Sequence, residues 1–207
     1  LCLFRISILF LSVFCQLNAG AAELSVPAEI RTLNVPSIDS AVGERLSRYL
    51  NVRSATAVGW QSSNMLIVTR FGETTQLHRV SQPMGFREQL TFFSEPIRGI
   101  SIPKNGAEQQ VIISKDSGGS EFYQLCMLNL EDGSTRLLSD GQSRYSGAVW
   151  APDASRFGYT TTQRNGKSWD IHVQDLAGNS RSVLDTDEGS WGIEDLSLIH
   201  ISEPTRL

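Results

Sequence analysis

The chain repeats itself every 46 to 48 residues, and that period restricts its fold more than any other feature. Gln76-Leu77-His78-Arg79-Val80, Gln124-Leu125-Cys126-Met127-Leu128 and Asp170-Ile171-His172-Val173-Gln174 align as one landmark. Arg87-Glu88-Gln89-Leu90-Thr91, Thr135-Arg136-Leu137-Leu138-Ser139 and Ser180-Arg181-Ser182-Val183-Leu184 align as a second. Leu77 and Leu125 are 48 positions apart and Leu125 and Ile171 are 46 apart; Leu90, Leu137 and Val183 follow at 47 and 46. Two independent landmarks thus share one phase. Units of roughly 40–50 residues have the size of propeller blades.

Each unit reads as four short strands. In the third, apolar Ser146 to Trp150 runs into the Ala151-Pro152-Asp153-Ala154 turn, where Pro presets φ. Residues 156–162 alternate and are rich in aromatic and β-branched side chains, the composition of a half-buried strand. Asn165-Gly166 signals a tight turn, residues 169–175 alternate again with Trp169, Ile171 and Val173 on one face, and Gly178-Asn179 leads to a last strand. In the first unit, Gln61-Ser62-Ser63-Asn64 stands where the Pro-Asp turn falls in the third. The pattern predicts an all-β chain: an incomplete β-propeller of about three four-stranded antiparallel blades over residues 54–195. The blades are placed at 54–94, 95–140 and 144–186, with the start of a fourth at 187–195. Such sheets need neighbours on both faces, so an unclosed set is expected to expose apolar surface. An N-terminal segment, 22–53, carries Ile38, Val42, Leu46 and Leu50 at helical spacing, predicting a short helix within 37–50.

The two ends read differently from the repeats. Arg5, an apolar run over residues 6–14 and the small residues Ala19-Gly20-Ala21-Ala22 have the layout of a secretory signal, assigned to 1–21 and implying export to the periplasm or outside the cell. Phe14 precedes Cys15 where lipidation requires a small residue, so Cys15 is not read as a lipid anchor. Residues 196–206 match the translation of a transposase adapter used in sequencing libraries. Residues 196–207 are therefore read as adapter-derived, packing poorly, with the natural gene continuing past Asp195.

Chemistry is sparse. A formal charge of −4, without a run of basic residues, argues against a nucleic-acid partner. Beyond the signal only Cys126 remains, which excludes an internal disulfide; its apolar surroundings read as core. Gly118-Gly119-Ser120-Glu121-Phe122 and Gly141-Gln142-Ser143-Arg144-Tyr145 approach a nucleophile elbow, but both lack the second glycine and the following helix. His78 and His172 share one repeat position, which reads as a structural slot, not a catalytic base. No His or Cys pair has metal-ligand spacing and no glycine loop fits a phosphate. No catalytic, cofactor-binding or metal-binding residue is assigned, and no cofactor.

Val149-Trp150-Ala151-Pro152-Asp153 resembles the Trp-Ser-Pro-Asp-Gly turn of TolB-like propeller repeats. Asn51-Val52-Arg53-Ser54-Ala55, Arg70-Phe71-Gly72-Glu73-Thr74-Thr75-Gln76-Leu77-His78 and Arg87-Glu88-Gln89-Leu90-Thr91-Phe92-Phe93-Ser94-Glu95-Pro96 resemble the opening of bacterial prolyl oligopeptidase family serine peptidases. The resemblance covers residues 41–195. It implies a propeller followed by a C-terminal α/β-hydrolase domain bearing Ser, Asp and His, absent here and the partner of these blades. It further implies that the blades gate and help bind peptide substrates, while this piece is itself no enzyme. The alternative is a TolB-like periplasmic propeller that binds a protein partner without catalysis. In the dipeptidyl peptidase branch, propeller glutamates hold the substrate's amino terminus. Glu95 and Glu121 lie outside the double-Glu motif, so that role is not carried over.

Overall fold

The computed structural model describes residues 23, 25, 26, 28, 30–104, 109–187, 189 and 191–196. The region assigned to a signal and the residues after Leu196 lie outside them.

The described chain divides into two compact units. In the first, α1 (Ser40–Leu50) is an 11-residue helix. It begins three residues into the predicted segment because Asp39 caps it: Asp39 has extended φ/ψ, and its carboxylate accepts the Ala41 N–H at 2.9 Å. Arg48 in the last turn complements the helix dipole.

The second unit holds twelve strands in three sheets. The first sheet comprises β1 (Ala55–Gln61), β2 (Asn64–Thr69), β3 (Gln76–Val80) and β4 (Arg87–Gln89). The second comprises β5 (Gly99–Ser101), β6 (Gln110–Lys115), β7 (Gln124–Asn129) and β8 (Thr135–Leu137). The third comprises β9 (Tyr145–Trp150), β10 (Arg156–Thr161), β11 (Asp170–Asp175) and β12 (Ser180–Leu184). Every sheet is an antiparallel meander in which each strand pairs with its sequence neighbours. The turns fall at the Pro152-Asp153, Asn165-Gly166 and Gly178-Asn179 sites, and Gly166 and Gly178 take φ of 74° and 98°, which glycine adopts without strain. Gln61 pairs with Asn64 across a two-residue turn, so Ser62-Ser63 does the work of the longer Pro-Asp turn.

Alternation along the strands sends successive side chains to opposite faces, and the sheets stack through those faces. Leu66 and Leu77 of the first sheet meet Val111, Ile113, Cys126 and Leu128 of the second. On the opposite face of that second sheet, Ile112, Leu125 and Met127 meet Trp150, Phe157 and Tyr159 of the third. Trp150 donates its indole N–H to the Ser101 carbonyl at 3.1 Å, tying β9 to β5. This is the stacking of propeller blades, and the all-β, three-blade expectation holds.

Each blade also ties itself with a polar clasp, buried in the first and third blades and half-buried in the second. Gln76, the first residue of β3, accepts from the Thr91 hydroxyl (2.8 Å) and the Phe93 N–H (3.1 Å), and donates to the Phe93 carbonyl (2.8 Å). Gln124 repeats this at the start of β7, accepting from Ser139 Oγ (2.7 Å) and Gly141 N (3.0 Å) and donating to the Ser143 carbonyl (2.7 Å). In the third blade the position is Asp170, fully buried, which accepts from Thr186 N at 2.8 Å. Arg164 neutralises it with a two-pronged pair at 2.8 and 3.0 Å. The clasps pin the loop after each fourth strand to the third strand of the same sheet.

The third sheet's other face carries Val149, Ala151, Val173 and Val183, covered by Ile193 and Leu196. Residues 191–196 are not strand, yet Leu196 is only 5% exposed. The expectation of poor packing from residue 196 onward therefore fails at Leu196, because the apolar face of β11 needs a cover; Ile199 lies outside the described residues.

Candidate functional site

The two serines in elbow-like sequences sit in loops. Ser120 lies between β6 and β7, where its Oγ accepts from Phe122 N at 3.3 Å. Ser143 donates to Asp140 Oδ2 at 2.7 Å within the turn before β9. Neither has a histidine partner. His78 is fully buried on β3, its Nδ1 3.1 Å from the Gln76 carbonyl, its Nε2 without a partner and the Phe71 ring set edge-on at 5.1 Å. His172 on β11 stacks on Tyr159 at 5.8 Å, with Nδ1 3.4 Å from Ser180 Oγ. Burial lowers the pKa of both rings and favours their neutral forms. His78, Cys126 and His172 are each the third residue of a third strand, so one slot holds two histidines and a cysteine. The Cys126 thiol is buried and its pKa raised by burial. Glu95 accepts from Ser94 Oγ at 2.9 Å and pairs with Lys115 at 3.4 Å; the Ser94 hydroxyl, foremost, holds its carboxyl below the usual range.

Among the described residues no three His, Cys, Asp or Glu side chains cluster to hold a metal, and no helix is long and apolar enough to cross a membrane.

Two open clefts mark the blade junctions. One, of about 440 Å³, lies between the first and second sheets beside the Arg79–Glu88 ion pair and the β7–β8 turn, with Phe92 largely exposed at its rim. The other, of about 390 Å³, opens between the second and third sheets at the starts of β5 and β9. Arg98, Arg144, Glu121, Tyr123 and Trp169 line it, together with the hydroxyl-bearing Ser114 and Ser146. Glu121 reaches it from a loop held by its own N–H on Asp116 Oδ2 at 3.0 Å, with φ of 59°. The Arg144 guanidinium lies 4.7 Å from the Phe122 ring centre, a cation–π contact that orients it. The sequence singled out Glu121 but neither arginine, although their 46-residue spacing keeps the phase of the repeat.

No protein-family model matches the sequence, and no curated protein matches it. Solved structures match its fold. A prolyl endopeptidase structure superposes on 70% of this chain with a TM-score of 0.58 at 14% identity, over 24% of its own length. The putative TolB from Agrobacterium tumefaciens superposes on 62% of this chain with a TM-score of 0.50 at 14% identity, over 45% of its own length. The fold is that of an incomplete β-propeller. The chain spans less than half of the TolB chain and about a quarter of the prolyl endopeptidase chain. At this identity the likeness shows the propeller fold alone. Within the propeller, both clefts are inter-blade grooves, and the smaller lies where the first strands of adjacent blades come together.

Proposed function

We propose that these blades are the propeller of an exported serine peptidase of prolyl oligopeptidase type, where they gate peptide access to a hydrolase domain elsewhere in the parent protein. The observation that carries this reading is the Arg87–Pro96 stretch. It resembles that family, and it forms β4, the Thr91–Phe93 half of the first clasp and the loop toward β5. The superposition on a prolyl endopeptidase supports it. In such an arrangement the ring excludes bulk water and oversized substrates, while the nucleophile, base and oxyanion donors lie in the other domain. The apolar run of residues 6–14 supports export.

The test is the parent protein with its coding sequence read onward from Asp195. Further blades followed by Gly-x-Ser-x-Gly, labelling of that serine by a fluorophosphonate, and cleavage of short but not long peptides are the expected results. This chain alone is expected to hydrolyse no chromogenic peptide or ester. Turnover by the chain that disappears in a His78→Ala, His172→Ala double variant would place chemistry in the blades and refute the division of labour. A parent that ends after six or seven blades without the serine motif would instead fit a TolB-like binding module.

A further inference from the structure

Arg98 and Arg144 are 46 positions apart, and each immediately precedes the first strand of its blade. The repeat therefore delivers two guanidinium groups to corresponding ends of adjacent blades, and both line the 390 Å³ cleft. Both residues are exposed. Among the described residues, neither guanidinium has a carboxylate within ion-pair distance or donates a hydrogen bond. Arg144 rests one face on Phe122, which leaves its N–H edge available. The hydroxyls of Ser114, Ser146 and Tyr123 line the same cleft, also without partners among the described residues. Glu121 is the one carboxylate in the lining, so the cleft is locally cationic on a chain of net charge −4. Planar guanidinium forks match carboxylate geometry, and the Trp169 and Tyr123 rings offer an apolar wall beside them.

The geometry points to this cleft as a binding site for a carboxylate-bearing ligand, above all the free C-terminus of a short peptide. Arg98 and Arg144 grip the carboxylate and an adjoining apolar side chain lies against Trp169 and Tyr123. Glu121 weakens the grip by like-charge repulsion and keeps the site permissive. The site does not depend on the peptidase reading, since it uses only groups of these blades.

The test titrates the full chain with an N-acetyl dipeptide ending in Phe, as the free acid and as the C-terminal amide, and with inorganic phosphate. Binding is read by calorimetry and by tryptophan fluorescence. The acid is expected to bind with a dissociation constant of about 0.1–1 mM, and the amide at least about tenfold more weakly. Arg98→Ala and Arg144→Ala should each weaken the acid about fivefold or more, and Glu121→Gln should tighten it about two- to fivefold, with the differences shrinking at high salt. Arg53, which precedes β1 but lies outside the cleft, supplies the control: Arg53→Ala should leave binding unchanged. Unchanged urea midpoints establish that the variants fold. Equal binding of acid and amide, equal effects of Arg53→Ala and Arg98→Ala, or tighter binding of phosphate than of the acid would each overturn the assignment.

Discussion

Replacing Asp170 by Asn tests whether the clasp of the third blade is a charge-dependent fastening. The carboxylate is fully buried and accepts Arg164 Nε at 2.8 Å, Arg164 Nη2 at 3.0 Å and Thr186 N at 2.8 Å. Asn keeps an acceptor for Thr186 but turns an amide N–H₂ toward the guanidinium. One charge-assisted bond is lost and a buried donor is left facing another donor, a combined cost of about 3–5 kcal/mol. With a urea m-value on the order of 2 kcal/mol/M, the unfolding midpoint at pH 7 should fall by about 1.5–2.5 M at constant m. The pH dependence supplies the sharper check. The Arg164 hydrogen bonds, foremost, hold the Asp170 carboxyl below its ordinary range. The stabilisation is therefore fully present above the unfolded-state pKa of about 4 and is lost as pH falls through the folded-state value. The wild-type-minus-variant difference, in which other carboxylates cancel, should shrink between pH 5 and the acid limit of folding. A penalty under about 0.5 kcal/mol at pH 7, or one independent of pH, would refute the reasoning.

Phe157→Ala removes a fully buried ring that meets Trp150 at 5.6 Å and Tyr159 at 5.9 Å between the second and third blades; denaturant unfolding should show a loss of about 3–5 kcal/mol. Gly59→Ala places a Cβ 2.7 Å from Ile102 Cδ1 at φ of 155°, so a melting curve should register a loss of about 1–3 kcal/mol, whereas Gly166→Ala, with open space around it, should show only the cost of its φ. Cys126, buried and with its thiol pKa raised by burial, should resist a thiol reagent in the native chain and react fully in urea; rapid native labelling would contradict its place in the core.

The period was legible because its landmarks are strands: Leu77, Leu125 and Ile171 each stand second in a third strand. The turns were legible because Pro152-Asp153, Asn165-Gly166 and Gly178-Asn179 carry their own backbone preferences. The clasps were not. Gln76, Gln124 and Asp170 stood in the alignment as strand starts, yet alternation says nothing about a polar side chain whose partner arrives 15 or 16 residues later as Thr91, Ser139 or Thr186. Nor does alternation foresee that Asp170 and Gln174 are buried on the face opposite Val173, because the third sheet packs one face on the second sheet while Ile193 and Leu196 cover the other. The arginine pair was hidden for a related reason. Glu95-Pro96-Ile97-Arg98 and Gly141-Gln142-Ser143-Arg144 share no pattern beyond the arginine, so although the two arginines keep the 46-residue phase, nothing in the sequence marks them as the residues before β5 and β9.

The clasps also bear on how such a chain emerges from a ribosome. Each blade forms its ladder hydrogen bonds between consecutive strands, and its clasp closes over 15 or 16 residues, so the ladder and the clasp of a blade are completed by its own sequence, and only a few polar ties such as Trp150 to Ser101 reach across to the neighbouring blade. Loop-closure entropy is low for each unit, which favours rapid local folding in the order of synthesis. The hydrophobic clusters then link only consecutive blades, the first to the second and the second to the third. A finished blade therefore presents a templating face to the next one leaving the exit tunnel, and vectorial assembly limits the time that any apolar sheet face stays uncovered.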